Sequence, residues 1–180
     1  MKIDLHSHTH FSDGKLSVAE LLTRAQQMQI DVLAITDHDC VEAIAPALDF
    51  IRQHKHRLQL ISGTEISTRW HGFEIHILGL DVDHTNSEFL TRLQSQLDKR
   101  QQRAEKIADK LNSIGHYNVL IDAQKHVQTG CISRAHIAQV LLERGIVNNL
   151  QQAFKQFLVK IKKRTSPRHG LALTRRYSGF

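Results

Sequence analysis

The first eighty residues alternate short apolar runs with stretches of helical periodicity, the pattern of successive βα units. Lys2–His6 predicts a strand, and Ser17 with Glu20 three residues later makes a capping-box signature ahead of Leu21, Leu22 and Ala25. Asp31–Thr36 (DVLAIT) is a short apolar run of the buried-strand type, and a helix is predicted over Val41–His54. Leu58–Gly63 predicts a third strand, while Thr64–Arg69 and Phe73–Leu80 read as two more, joined by a turn at Trp70-His71-Gly72. Beyond Asn86 the pattern becomes helical. A long amphipathic segment runs over Ser87–Ile114 and is stopped by Gly115. Shorter helices follow at Leu120–Val127, Ser133–Glu143 and Asn149–Leu158, with Ser133 and Asn149 as caps and Gly145 closing the second. From Lys160 there is no sustained apolar periodicity, and Thr165-Ser166-Pro167 and Gly170 interrupt what remains, so this segment reads as a disordered tail.

Composition changes that picture little. With 180 residues, 41% hydrophobic and 23% charged, one core is expected. No stretch approaches the roughly 18 apolar residues of a membrane span, and the opening MKIDLHSHTHFSDG lacks an apolar signal run, so a cytoplasmic location is expected. Two cysteines, Cys40 and Cys131, imply no disulfide framework and are expected to be reduced and to serve packing. The net charge of +6 is misleading, because Lys160–Arg176 carries seven basic residues and no acid, leaving residues 1–159 near neutral. The expected organisation is therefore an α/β unit over 1–158, with the long helical segment at 87–114, and a basic tail over 159–180.

The candidate chemistry lies where the strands end. His6 and His8 fall at the end of the first, Asp13 in the loop after it, Asp37-His38-Asp39 at the end of the second, Glu65 at the end of the third, and His76 on the next. C-terminal strand ends of a parallel sheet or barrel share one rim, so these groups converge. The i, i+2 spacing of His6 and His8 puts both imidazoles on one side of an extended backbone. Imidazoles and carboxylates without thiolate suit Mn²⁺, Zn²⁺ or Fe²⁺, and a carboxylate such as Glu65 can bridge two ions. A two-metal centre favours phosphate-ester hydrolysis: it polarises a phosphoryl oxygen, makes hydroxide near neutral pH and stabilises the leaving oxygen. A lone His-x-His carries little weight; four strands each delivering a donor carry much more. His10, His54, His56, His71 and His84 are expected on solvated surfaces, and Asp37 and Asp39 are expected to orient His38 or to cap the following helix.

Four segments, DLHSHTHFSDG (Asp4–Gly14), ITDHD (Ile35–Asp39), GTEIS (Gly63–Ser67) and EIHILG (Glu74–Gly79), resemble in order and spacing the first motifs of the PHP (polymerase and histidinol phosphatase) family. The resemblance covers residue 1 to about 158. It implies the N-terminal part of a distorted, TIM-like (β/α)₇ barrel and up to three divalent metals, usually manganese, with zinc or iron as alternatives. The ligands it implies are His6, His8, Asp13, His38, Glu65 and His76. Within the family the chain resembles the small bacterial RNase AM branch of 5′→3′ exoribonucleases and 3′,5′-nucleoside bisphosphate phosphatases. That implies a phosphoesterase acting on RNA 5′ ends or nucleoside bisphosphates, with Arg100, Arg103 and Arg134 gripping substrate phosphates and no obligate protein partner. The alternatives are a histidinol-phosphatase-like enzyme and a non-catalytic metal- or nucleic-acid-binding remnant.

The chain also departs from the family pattern. The late His, often followed by Pro, and the final Asp-x-His are not found: no aspartate follows Asp122, and His169 precedes Gly within the basic segment. The expectation is a C-terminally truncated barrel with an open sheet edge, uncovered apolar faces and impaired hydrolysis. A basic extension that binds RNA phosphates is the alternative reading of the tail.

Overall fold

Three parallel strands and one antiparallel strand form a single sheet in the order β1-β2-β3-β4, with β1 spanning Ile3–Ser7, β2 Val32–Ile35, β3 Gln59–Trp70 and β4 Phe73–Leu80. The computed structural model describes residues 1–158 apart from His56, Gly72, Gln128 and Thr129; the expected basic tail lies outside the described residues. Helices α1 (Val18–Gln27) and α2 (Ile44–His54) make the connections between the parallel strands, and the remaining helices follow β4: α3 (Ser87–Asn112), α4 (Val119–Lys125), α5 (Arg134–Glu143) and α6 (Leu150–Ala153), the last running into a π-helical turn at Phe154–Leu158.

The termini of these helices follow local chemistry. Ser17 and Glu20 form the predicted capping box on α1, Ser133 caps α5 by accepting from the His136 N–H, and Asn149 caps α6 by accepting from the Gln152 N–H. Gly115, at φ +91°, turns the chain after α3 so that the His116 N–H reaches the Leu111 carbonyl. Helix α2 departs from expectation: it starts at Ile44 rather than Val41, its N-cap is Ala43, and no side chain caps it. Neither Asp37 nor Asp39 serves that helix.

The third and fourth predicted strands are one. Gln59–Ser62 pairs in parallel with β2, and from Gly63 onward the same strand pairs antiparallel with β4, Glu65 lying opposite Leu78 and Ser67 opposite His76. Gly63 sits at the changeover, where an added Cβ would come within 2.9 Å of the Ile35 carbonyl oxygen at the end of β2. The glycine that reads as a strand terminator in the sequence is a close-packing point inside a 12-residue strand.

Two apolar clusters hold these elements. One gathers Leu22, Leu33, Ile35, Ile44 and Leu58 between the sheet and α1 and α2. The other gathers Leu111, Val119, Ile132, Ile137 and Leu141 among the later helices. Helix α3 joins them, with Leu93 in the first and Ala104 and Leu111 in the second, so its middle turns cross the junction. β1 and β4 are the edges of the sheet and leave Ile3, Leu5, Ile77 and Leu80 exposed, as does the hairpin at Trp70 and Phe73. Among the described residues no helix is long and apolar enough to cross a membrane.

Candidate metal centre

The β1 end and the loop after it carry the first three donors. His6 lies in β1 and His8 directly after it, two residues apart, their Nε2 atoms 3.0 Å from each other. The loop carrying His8 and Asp13 is fixed by Asp37, which is 1% exposed and accepts from the Thr9 N–H (2.7 Å), the Thr9 hydroxyl (2.6 Å) and the Ser12 hydroxyl (2.6 Å). Gly14 completes this turn, since a Cβ there would run into the His8 carbonyl. His38 follows β2, and an isolated parallel bridge places it beside Glu65 of β3. The Asp39 N–H donates to the Glu65 carbonyl and the Glu65 N–H to the Asp37 carbonyl, stitching the Asp37-His38-Asp39 segment along β3 past the end of β2.

Glu65 is the hub of the cluster. Its Oε2 lies 2.9 Å from His6 Nε2, 3.1 Å from His8 Nε2 and 3.8 Å from His38 Nδ1, while its Oε1 lies 2.6 Å from His76 Nδ1. Asp13 faces the other side of the same imidazoles, 3.6 Å from both His8 Nδ1 and His38 Nε2. Three overlapping triads result among the described residues: His6, His8 and Glu65; His8, Asp13 and His38; His38, Glu65 and His76. In each the donor atoms lie within 4.8 Å of one another, the spacing of groups that can hold a divalent ion. Glu65 and His76 do not sit at strand ends, as the rim picture predicts, but inside the antiparallel ladder, on strands that run on beyond the parallel part of the sheet.

The protonation states suit metal binding. Burial and the nearby Arg100 charge push the His38 imidazole below its ordinary value, outweighing Asp13 and Glu65, so the neutral, ligating form is favoured at neutral pH. Burial alone would raise the Glu65 carboxyl, but the hydrogen bond from His6 and the neighbouring His38 and His76 rings outweigh it and hold the group ionised. His38 Nδ1 is buried without a hydrogen-bond partner, an orphaned polar atom at the centre of the cluster. The donor set therefore fits divalent cations.

The neighbouring charged residues differ from the sequence expectation in three places. The hydrogen bonds of Asp37 tie down the Thr9–Ser12 loop rather than the His38 ring. Asp39, whose side chain is fully buried, accepts from the Ser67 N–H (2.7 Å) and pairs with Arg100 Nε (2.5 Å). Arg100 in turn donates to Ser67 Oγ at 2.6 Å and is only 10% exposed, so its guanidinium braces α3 against the centre instead of facing solvent to grip a phosphate. Arg103, three residues on and on the same helix face, and Arg134, the first residue of α5, converge on Glu74. Glu74 is the residue that sequence reasoning missed. Its signal was its position two residues before His76 on β4, which places both side chains on one face of the strand. Of the other histidines, His54 and His71 are exposed, His10 and His84 half-buried, and His56 lies outside the described residues. Cys40 is buried and Cys131 half-buried, and burial, reinforced at Cys40 by Asp37, raises both thiols.

Four imidazoles and the Asp13 carboxylate gathered around Glu65 on one α/β sheet give the chain a candidate site for divalent metal. The chain belongs to the PHP domain family, which matches residues 4–173. It is 43% identical over 159 residues to the 5′-3′ exoribonuclease Rnm of Escherichia coli, an alignment covering 88% of this chain and 54% of that protein. It is 31% identical to the 3′,5′-nucleoside bisphosphate phosphatase of Chromobacterium violaceum, over 87% of this chain and 54% of the relative. The chain thus spans about half the length of the curated relatives it matches. Among solved structures, an amidohydrolase from Chromobacterium violaceum with bound sulfate and no metal superimposes with a TM-score of 0.83 at 30% identity, covering 90% of this chain and 57% of that one. A structure from Bifidobacterium adolescentis shares the fold at a TM-score of 0.81 and 24% identity, covering 93% of this chain and 58% of that one. The fold is the N-terminal part of the PHP barrel.

Proposed function

We propose that His6, His8, Asp13, His38, Glu65 and His76 are the ligands of a divalent metal centre, with Mn²⁺ the foremost candidate and Zn²⁺ or Fe²⁺ its competitors, and that the domain serves phosphoester hydrolysis on nucleotides. The observation that carries this is the position of Glu65, whose two oxygens face different donor groups and so suit a bridge between neighbouring ions. When bound, such ions supply Lewis acidity toward phosphoryl oxygens and lower the pKa of water. The protein's own part is to favour the neutral His38 imidazole, to keep Glu65 ionised, and to fix the His8–Asp13 loop through Asp37. The similarity to an exoribonuclease and to a nucleoside bisphosphate phosphatase favours RNA 5′ ends and nucleoside 3′,5′-bisphosphates as substrates. Two arginines beside the centre, Arg103 and Arg134, supply planar forks of the kind that bind phosphate.

The proposal is tested by incubating the chain with Mn²⁺ and either a nucleoside 3′,5′-bisphosphate or 5′-phosphorylated RNA. Release of phosphate or mononucleotide that stops on chelation supports it. Metal retention without turnover moves the chain to the non-catalytic binding class.

Arg134→Ala tests the substrate side. Loss of a charge-assisted contact costs about 1.5–3 kcal/mol, or roughly 10–150-fold in binding, so KM for the bisphosphate rises with little change in kcat. An unchanged kcat/KM would return Arg134 to a structural role.

A further inference from the structure

Glu74 sits where an anionic ligand of the two arginines would sit. Its Oε1 accepts from Arg103 Nη1 at 2.7 Å and Arg134 Nη2 at 3.1 Å, and its Oε2 accepts from Arg134 Nη1 at 3.0 Å. These guanidiniums come from two different helices, α3 and α5, and the carboxylate from a third element, β4. The three side chains remain 27–30% exposed, so the assembly is open to solvent rather than sealed in a core. It also borders the metal-donor cluster, with Glu74 Oε1 3.9 Å from His76 Nε2, the ring whose other nitrogen faces Glu65. Two positive charges around one negative charge leave a net positive site that is already occupied.

We propose that Glu74 is a built-in occupant of an anion site formed by Arg103 and Arg134, and that it sets the substrate class by admitting only an anion that out-competes a carboxylate. The inference rests on the nucleotide-hydrolase reading above and adds the discrimination that reading lacks. A terminal phosphate monoester carries about −1.5 to −2 charge at pH 7 and three strong acceptor oxygens, enough to take both guanidinium forks while Glu74 swings away on its flexible side chain. A phosphodiester carries a single charge and two free oxygens, no more than the carboxylate it must displace. The site therefore selects a terminal phosphate and rejects an internal linkage, through competition rather than shape. Glu74 also holds the two arginines close together while the site is empty, so their mutual repulsion is neutralised before the ligand arrives.

The test uses metal-free chain, with chelator present, titrated calorimetrically at constant ionic strength with methyl phosphate and with dimethyl phosphate. The unsubstituted chain binds methyl phosphate at least about tenfold more tightly than dimethyl phosphate, as expected when a like charge has to be displaced. Glu74→Gln keeps the side-chain shape and one acceptor but removes the competing charge. It tightens methyl phosphate by roughly tenfold and narrows the gap between the two ligands. Glu74→Asp, which keeps the charge but shortens its reach, shifts both readings in the same direction by less. Equal affinity of the unsubstituted chain for the two ligands overturns the proposal by itself, whether or not either variant folds. Weaker methyl phosphate binding in Glu74→Gln, with helical circular dichroism unchanged, overturns it in favour of a carboxylate that merely positions the arginines. Because no metal enters the titration, failure here leaves metal-dependent turnover untouched, and failure of turnover leaves this result standing.

Discussion

Glu65→Gln removes divalent-metal binding from more than one donor group at once. Glu65 belongs to two of the three triads and offers a different oxygen to each: Oε2 toward His6 and His8, Oε1 toward His76. Substitution by the amide leaves the strand pairing of β3 intact but removes the negative charge that the cluster of imidazoles surrounds. Loss of an outer hydrogen-bond partner of a metal ligand already costs roughly 10–100-fold in affinity, and loss of a direct, shared, charged donor costs more. Titration calorimetry with Mn²⁺ on Glu65→Gln therefore shows the steepest loss in the cluster. His76→Ala, which affects one triad, retains binding at the His6–His8 side. Equal losses in the two variants would mean that Glu65 is not a bridge. Binding also weakens as pH falls, because the imidazoles must be neutral to ligate.

Arg100→Ala destabilises the fold by about 3–5 kcal/mol, the cost of leaving a buried charge without its partner. Asp39 has a fully buried side chain, and apart from the Ser67 N–H the guanidinium of Arg100 is its compensation. The same substitution at the more exposed Arg103 has a much smaller effect. Arg100→Lys rescues only in part, since an ammonium cannot reach Asp39 and Ser67 in the fixed geometry of the planar fork. Pairing Arg100→Met with Asp39→Asn recovers most of the lost stability, because the stranded charge is gone while the amide oxygen still accepts from Ser67. Urea unfolding of the four variants reads this directly. A loss below about 1 kcal/mol, the range of an exposed pair, would restore Arg100 to the set of free phosphate-binding groups.

These two residues also show where reading the sequence succeeds and where it stops. The convergence of His6, His8, Asp13, His38, Glu65 and His76 was legible because short-range pattern places each on or next to a strand, and adjacent strands bring them together. The cap residues Ser17, Ser133 and Asn149 were legible for the same local reason. The single long β3 was not, because Gly63 looks like a terminator unless the approach of Ile35 and Thr36 is known. The role of Arg100 was not, because its partner Asp39 is 61 residues away and nothing in a basic helix face announces a buried acid. Glu74 was hidden likewise: its arginine partners lie 29 and 60 residues along the chain, on helices whose approach to β4 only tertiary packing decides.

Whether the cluster around Glu65 holds metal is decided by anomalous diffraction from crystals equilibrated with Zn²⁺. A peak is expected at ligand distance, about 2.0–2.2 Å, from His6 Nε2, His8 Nε2 and a Glu65 oxygen, with further density between Glu65 and His76 or between Asp13 and His38. Well-ordered crystals that show no anomalous peak within that cluster, or zinc only on exposed acids elsewhere, would contradict it.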